Sequence, residues 1–264
     1  MINVMDLPGV VGDGVSDDTE PVRKAIRESS DNETIYFPQG KYLLDTLWVA
    51  GKNNLQLCGE GHLIPRDTTS QETLRVVTAA GKHTVRFRLA GLTIGGKVVF
   101  NGSHFSRVTD CVFPDLLGVQ GIMVFNSHDV ILTGNRISGR SIGVEYNSAD
   151  GRISSNEITT CATAAIRVTS ANPVVDNNRT FPYPGAMQTS LLLDGQDRWM
   201  KQILVTGNNF GHPSGYAIHS TVPMDRNRCL IVHNQFLQEP SKDLTLNVSV
   251  EWKDQQVIRM ARPY

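Results

Sequence analysis

A repeat of short apolar strands, each closed by asparagine, constrains this fold more than any other feature of the sequence. The two clearest copies are Gly121–Ile137 and Ile142–Ile158, and in each an asparagine stands two residues before the closing isoleucine. An Asn-Ser pair separates the two apolar segments of each copy, which predicts a polar turn there. Units end every 21 to 29 residues, at Phe113, Ile137, Ile158, Phe181, Phe210 and Phe236.

A period of this length, with no helix between units, predicts a stacked β-solenoid. One coil of short strands cannot bury its inward side chains alone. Coils stacked about 4.8 Å apart give every strand a parallel neighbour above and below. Asparagine suits the bends because it tolerates left-handed backbone and its amides can form ladders of hydrogen bonds. A propeller needs blades about twice as long, and the hairpins of an antiparallel sandwich favour Asn-Gly turns, of which Asn101-Gly102 is the only one.

The chain ends are predicted to cap this column. The boundaries of the single domain, 1–264, are an N-terminal cap over 1–33, coils over 34–240 and a C-terminal cap over 241–264. A helix near 18–29 is predicted because Asp17 and Asp18 offer capping oxygens and apolar residues follow at helical spacing. Such a helix would cover the open end of the column, where bare strand edges invite aggregation.

Charge and hydropathy argue against two classes of partner. The 25 Lys and Arg residues balance 26 Asp and Glu residues, the net charge is −1, and no basic block suggests nucleic-acid binding. No stretch approaches the roughly 20 apolar residues of a membrane span. The first residues, Met1–Asp6, lack the basic and apolar regions of a secretory signal. We therefore expect no nucleic-acid or membrane partner, and a cytoplasmic or phage-encoded protein rather than an exported one.

No metal site or other cofactor is predicted. The four cysteines are at least 50 residues apart and form no Cys-x-x-Cys pair, which indicates reduced core residues rather than zinc ligands or a disulfide framework. The stretch Gly12–Asp18 lacks the ligand spacing and the final glutamate of a calcium loop. A tight turn and a helix cap explain it better. Ca²⁺ lacks support because only one or two carboxylates are expected on the candidate face described below.

Three N-terminal motifs resemble the pectate-lyase-like right-handed parallel β-helix superfamily. They are Gly12–Ile26, Thr34–Tyr42 and the turn Gly59–Gly61, in that order. The resemblance implies an all-β fold: a single-stranded right-handed parallel β-helix, or β-solenoid, of roughly eight or nine coils with an N-terminal capping helix. The superfamily includes polysaccharide lyases, glycoside hydrolases, epimerases and phage tailspikes. It therefore implies a carbohydrate-directed function without fixing the reaction.

Alternation of side chains along the strands predicts a charged stripe on one outer face of successive coils. Its members are Glu145, Arg167, Asp194 and His219. The coil below would add Met123 and Phe125 as substrate contacts. Four coils give a stripe about 15 Å long. Outward positions of any strand are commonly polar, so a surface without a site would look similar, and a register slip of one residue would invert the assignment.

Two chemical routes are open at this stripe. Glu145 and Asp194, expected two coils or roughly 10 Å apart, could act as acid and base of an inverting hydrolysis, at the upper limit of its usual spacing. Alternatively, Arg167 could bind a uronate carboxylate and His219 could abstract the neighbouring proton. That second route would be β-elimination or epimerisation. The sequence does not decide between them.

Two insertions flank the coil that carries Asp194, and lengthened loops of a repeat often gather at its binding face. One contains Tyr183, and the other contains Arg198, Trp199 and Lys201. The two aromatic residues could stack on sugar rings and the two cations could contact substrate. Shielding of the solenoid's flank explains the aromatic residues equally well. Trp48, on an early coil, is interpreted as structural.

The combined prediction is a carbohydrate-active enzyme that cleaves or modifies an acidic or surface polysaccharide by lyase or hydrolase chemistry. One alternative is an intracellular isomerase, cyclase or dehydratase that acts on a small molecule, since no secretory signal is visible. Another is a non-catalytic glycan-binding module of the tailspike type. The predicted partner is thus a polysaccharide or a small-molecule substrate. A homo-oligomer, trimeric if the protein is tailspike-like, stays open.

Overall fold

The computed structural model describes residues 1–170, 172–181, 188–195, 202–211, 216–222, 229–236 and 248–249. In this part of the chain, all strands that pair between coils run parallel and form a solenoid with three sheets. The helical elements there are the α-helix Thr19–Glu28 and the short 3-10 helix Val4–Asp6. The prediction of an all-β solenoid with an N-terminal capping helix is confirmed. The predicted C-terminal cap lies outside the described residues apart from the strand Val248–Ser249.

Each sheet receives one strand from successive coils. The first sheet contains Ile2–Asn3, Thr34–Phe37, Gln56–Gly59, Arg88–Ala90, Arg107–Thr109, Ile131–Thr133, Arg152–Ser154, Val174–Asp176, Leu204–Thr206 and Leu230–Val232. The second contains Asp13–Asp17, Lys41–Leu44, His62–Pro65, Thr93–Ile94, Val112–Phe113, Arg136–Ser138, Glu157–Thr159, Arg179–Phe181, Asn209–Phe210 and Gln235–Phe236. The third contains Leu47–Ala50, Glu72–Val77, Lys97–Asn101, Ile122–His128, Ile142–Ala149, Ala164–Val168, Thr189–Leu193, Tyr216–Ser220 and Val248–Ser249, with Thr84–Val85 and Ser103–His104 beside it.

The core is a column in which each coil contributes one inward side chain to each row, and the row of the first sheet is aliphatic throughout. In the first sheet, strand register aligns the fully buried residues Ile35, Leu57, Leu89, Val108, Leu132, Ile153, Val175 and Val205. Full burial of each such side chain stabilises the fold by about 1.5–3 kcal/mol relative to exposure. The core therefore fixes which side of every strand faces outward.

A buried asparagine ladder forms the bend between the first and second sheets. The amide of Asn135 donates to Asn156, which donates to Asn178, and both Nδ2–Oδ1 distances are 2.9 Å. The ladder continues through Asn208 to Asn234. Each of these amides thus joins adjacent coils, as the repeat predicts.

The structure corrects the predicted polar turns at the two Asn-Ser pairs, because both pairs lie inside strands, Ile122–His128 and Ile142–Ala149. The first of these strands is irregular at the pair, since Asn126 has a φ of 44° and the register shifts between Phe125 and His128. A second ladder allows the strands to continue, because the backbone N–H of Ser127 donates to the hydroxyl of Ser148, and that of Ser148 donates to Ser170. The asparagines are also not equivalent, since Asn147 pairs with the residue before Asn126.

At the N-terminus, the helix covers the bottom of the column. Its face containing Val22, Ala25 and Ile26 is buried in the core. Asp17 caps the first turn by accepting the backbone N–H of Thr19 at 3.0 Å, whereas buried Asp18 accepts from the preceding loop instead. No helix in the described part of the chain is long and apolar enough to cross a membrane.

Candidate functional site

A row of outward side chains crosses the third sheet along the solenoid axis, one residue per coil. In this outer row, strand register aligns Trp48, Arg75, Val99, Met123, Glu145, Arg167, Leu192 and His219. Seven steps of the strand spacing make the row about 34 Å long. The row is therefore long enough to contact an extended polymer at several places.

Three of the four predicted stripe residues belong to this row, and Asp194 does not. Leu192 occupies the row on that coil, between Arg167 and His219. Asp194 follows two residues later, and its N–H donates to the carbonyl of Val168 at 2.8 Å. It faces the same outer side as Leu192 but lies just beyond the end of the strand Thr189–Leu193, which corrects the predicted alignment.

Arg167 nevertheless joins both carboxylates. Its Nη1 donates to Glu145 Oε1 at 3.2 Å, and its Nη2 and Nε donate to Asp194 Oδ2 at 2.5 and 3.1 Å. The hydroxyl of Thr221 donates to the other Asp194 oxygen at 2.7 Å. Glu145, Arg167 and Asp194 retain 13%, 26% and 25% of their side-chain exposure. Together with Thr221 they form the Arg167 cluster, which contains two carboxylates and one cation.

The hydrogen bonds of the cluster keep Asp194 ionised. The hydroxyl of Thr221, and then the guanidinium of Arg167, hold the pKa of Asp194 below its ordinary value of 3.8 although partial burial opposes this. An ionised carboxylate can accept hydrogen bonds from sugar hydroxyls or activate water. It cannot donate a proton, so Asp194 fits the role of a base better than that of an acid.

The two carboxylates are also closer than the sequence predicts. One guanidinium and two hydrogen bonds separate the bonded oxygens of Glu145 and Asp194, so their distance is at most about 8 Å. The prediction was roughly 10 Å, because it counted two whole coils. Side chains that lean toward a shared cation shorten that distance. The pair therefore does not exceed the range used by inverting glycosidases.

His219 stays outside the Arg167 cluster. It lies two coils above Arg167, about 9.6 Å along the row, with Leu192 between them. Its ring stacks on Tyr216, with centroids 4.5 Å apart and planes at 14°. Its Nδ1 is buried and has no hydrogen-bond partner among the described residues. The structure therefore does not bring His219 and Arg167 to one point.

The remaining predicted contacts divide into two groups. Met123 lies directly below Glu145 in the outer row, and Phe125 lies in the neighbouring row, paired with Asn147. Both side chains are half-buried. The other predicted contacts lie outside the described residues, and they are Tyr183, Arg198, Trp199 and Lys201.

Two parts of the outer face were missed or misjudged from the sequence. Thr221 was not predicted because a threonine in a strand repeat does not by itself indicate a catalytic or binding site. Its position was nevertheless regular, since Thr221 follows His219 by two residues, as Asp194 follows Leu192. Trp48, interpreted as structural, is 51% exposed. The guanidinium of Arg75 lies over its ring, 5.4 Å from the centroid.

The described residues do not form a recognisable metal-binding site. Among those residues, no group of three or more His, Cys, Asp or Glu side chains is arranged to hold a metal ion. Three cysteines are buried: Cys111, Cys161 and Cys229. Burial raises the pKa of the Cys111 and Cys161 thiols to about 12, so both are protonated core groups at neutral pH.

Two family models match adjacent parts of the chain. The model described as rhamnogalacturonase A/epimerase, pectate lyase-like, matches residues 1–84, and the model described as right-handed beta helix region matches residues 82–210. With the parallel coils described above, these matches define a right-handed parallel β-helix protein. The two matches together confirm the resemblance to the pectate-lyase-like superfamily of that fold. Among curated protein sequences, none matches the chain significantly.

Several solved structures share the fold. The chain is similar to ORF18 of Geobacillus virus E2, with a TM-score of 0.57, 15% identity and coverage of 89% of this chain and 57% of the viral one. It is similar to an alginate lyase from Paenibacillus sp. str. FPU-7, with a TM-score of 0.63, 13% identity and coverage of 83% of this chain and 93% of the lyase. It is also similar to PfbA, a surface adhesin of Streptococcus pneumoniae, with a TM-score of 0.59, 12% identity and coverage of 89% of this chain and 77% of the adhesin. At these identities the likeness shows the fold alone.

Proposed function

We propose that the protein is a carbohydrate-active enzyme that cleaves a polysaccharide lying along the outer row, with the Arg167 cluster at the point of reaction. The observation that carries this proposal is a pair of partly exposed carboxylates joined by one guanidinium in the middle of a row about 34 Å long. A row of this length suits a polymer better than a small molecule. The alginate lyase of the same fold supports a saccharide as the ligand.

Hydrolysis fits the cluster better than elimination. In hydrolysis one carboxylate activates water and the other protonates the leaving oxygen. Asp194 fits the first role rather than the second because its lowered pKa keeps it ionised, so it has no proton to donate. Glu145 is assigned the second role because its contact with Arg167, 3.2 Å, is the longer one. In that role Glu145 would reach the leaving oxygen once substrate displaces its contact with Arg167.

The elimination route requires a cation that is available to substrate. The fork of Arg167 already bonds both carboxylates, and the cluster as a whole has an excess of one negative charge. A uronate carboxylate would be repelled there rather than bound. His219, the expected base of that route, lies two coils away.

A second candidate, glycan binding without catalysis, is favoured by the same bonds of Arg167 to both carboxylates. Bidentate and charge-assisted bonds of this kind can simply join the strands of neighbouring coils. The adhesin PfbA shares the fold. In this case the outer row would hold a glycan and leave it intact.

A glycan panel tests both candidates. Acidic and neutral polysaccharides are incubated with wild type, Glu145→Gln, Asp194→Asn and the control Glu157→Gln, which removes the same charge from the second sheet. Reducing ends and the ultraviolet absorbance of unsaturated uronate are read in parallel. We expect reducing ends alone, reduced at least about 100-fold by either cluster substitution and unchanged by the control. Unsaturated product would contradict hydrolysis, and binding without product would favour the second candidate.

A further inference from the structure

A concave site lies at the N-terminal end of the outer row, apart from the Arg167 cluster. This cap cleft, of about 550 Å³, separates the helix Thr19–Glu28 from the edge of the first coils. Its charged lining consists of Arg23, Arg27, Lys52, Lys82 and Asp31, and Trp48 forms one wall. Four cations thus face one carboxylate in a small volume, which makes the cleft a strongly positive part of a nearly neutral protein.

Not all of these cations are committed to other groups. Arg23 bonds the carbonyl of Thr46 and pairs with a glutamate of its own helix. Lys52 donates to the carbonyls of Arg27 and Ser29 at 2.9 and 2.6 Å, which ties it to the end of the helix. In the described part of the chain, Arg27 makes no side-chain hydrogen bond or ion pair. Lys82 is 62% exposed and reaches Asp31 only at 3.9 Å. Two cations are therefore available to an anionic ligand.

Trp48 gives the cleft a rigid apolar wall. The guanidinium over its ring belongs to Arg75, which Glu72 holds with two bonds of 2.6 and 2.7 Å. The indole also borders a neighbouring depression of about 460 Å³ that includes Arg75 and Asn101. An exposed aromatic ring held between two depressions is a surface on which a sugar ring can stack.

The charges at the two ends of the row are opposite. Four steps of strand register separate Trp48 from Glu145, about 19 Å along the axis. The Arg167 cluster has excess negative charge, whereas the cap cleft has excess positive charge. An acidic glycan that follows the row would therefore place a neutral part at the cluster and an anionic group at the cleft.

We infer that the cap cleft binds an acidic sugar unit, with its ring on Trp48 and its carboxylate or sulfate at Arg27 and Lys82. This inference takes the saccharide class of the ligand from the proposed function, but it does not depend on any reaction at the Arg167 cluster. It deepens that function by making the substrate an acidic polysaccharide that is recognised about 19 Å from the reacting bond.

Calorimetric titration of the full chain tests the cleft. The probes are an oligogalacturonate, a chondroitin sulfate oligosaccharide and a neutral cello-oligosaccharide. Arg27→Gln removes the uncommitted cation, and Lys24→Gln is the control because it removes the same charge from an exposed position of the same helix. We expect Arg27→Gln to weaken binding of one anionic probe about tenfold, which is the effect of one charged hydrogen bond. Lys24→Gln should leave it unchanged.

The two anionic probes distinguish a carboxylate from a sulfate as the bound group. Equal affinity of wild type and Arg27→Gln, or an equal loss in both helix variants, would overturn the inference. Binding of none of the probes by wild type would overturn it as well. Arg27-dependent binding without any turnover would support the cleft and remove the proposed reaction. Turnover together with binding that does not depend on Arg27 would support the proposed reaction and overturn the inference about the cleft.

Discussion

At the scale of single residues, Arg167 holds the candidate site together because its guanidinium bonds both carboxylates. Alternation predicted that Glu145, Arg167 and Asp194 face outward, but it could not predict that they meet. Alternation fixes the side of a strand and not the position along it. On the coil that carries Asp194, only the backbone pairing of Arg167 with Leu192 reveals the offset.

Arg167→Gln should leave two like charges close together and one cation fewer. We expect the pKa of Asp194 to rise, because the substitution removes a charged hydrogen bond and a favourable charge. The free energy of unfolding should fall by about 1–3 kcal/mol. Carboxyl NMR titration and urea unfolding measure the two effects. Arg136→Gln, whose exposed pair with Glu157 spans 3.7 Å, should change stability by less than about 1 kcal/mol. An unchanged Asp194 pKa in Arg167→Gln would contradict this account.

Stability should also depend on pH through Asp194. Its folded pKa is lower than the unfolded value, so ionised Asp194 stabilises the fold above the unfolded pKa, near 3.8. That contribution is lost as the pH falls below 3.8 and through the lower folded pKa. Urea unfolding at pH values on both sides of this window should therefore show a smaller loss of stability on acidification in Asp194→Asn than in wild type. Identical pH profiles would show that the carboxylate is not stabilised in the folded state.

At the scale of elements, the asparagine ladder explains why the fold was predictable from the sequence. Each ladder asparagine recurs at a bend because its amide bonds both the next coil and a carbonyl of the coil below. The Asn-Ser pairs recur too, yet they lie within strands, so recurrence alone does not distinguish a bend from a strand. The ladder asparagines differ from Asn126 in that their amides are buried, and the spacing of asparagines in the sequence does not show which amides are buried.

Asn156→Ala should test the ladder at its centre. The side chain accepts from Asn135 and donates to the carbonyl of Leu132 and to Asn178, all inside the protein. Loss of these bonds leaves buried groups without partners, so we expect a destabilisation of about 2–4 kcal/mol by urea unfolding. Asn101→Ala, at an exposed position, is the control and should cost less than about 0.5 kcal/mol. Similar costs for both variants would contradict a structural role for the ladder.

At the scale of the whole molecule, each coil contacts mainly its neighbours, so stability depends on both ends of the stack. The helix covers the first coils by burying Ile26 and Val22 in the same core that runs through the coils. The same linear arrangement lets one outer row connect the cap cleft with the Arg167 cluster. The sequence indicated the stack but gave no sign of this connection, because Trp48 and Arg167 are more than 100 residues apart.

Ile26→Ala should loosen the N-terminal end first. A large-to-small change at this fully buried position should cost about 3 kcal/mol of stability. We expect amide hydrogen exchange to accelerate in the coil Thr34–Ala50 before it changes in the central coils. Lys24→Ala, on the exposed face of the helix, should leave the exchange pattern unchanged. Uniform acceleration along the whole chain would instead indicate one cooperative unit.

The central claim is that a polysaccharide lies along the outer row with its reacting bond at the Arg167 cluster. A crystal structure of Asp194→Asn with a bound acidic oligosaccharide tests it most directly. The account predicts sugar rings along the third sheet, with one ring within hydrogen-bonding distance of Glu145 and an acidic unit toward Trp48. Saccharide bound on the first or second sheet, with the outer row empty, would contradict it.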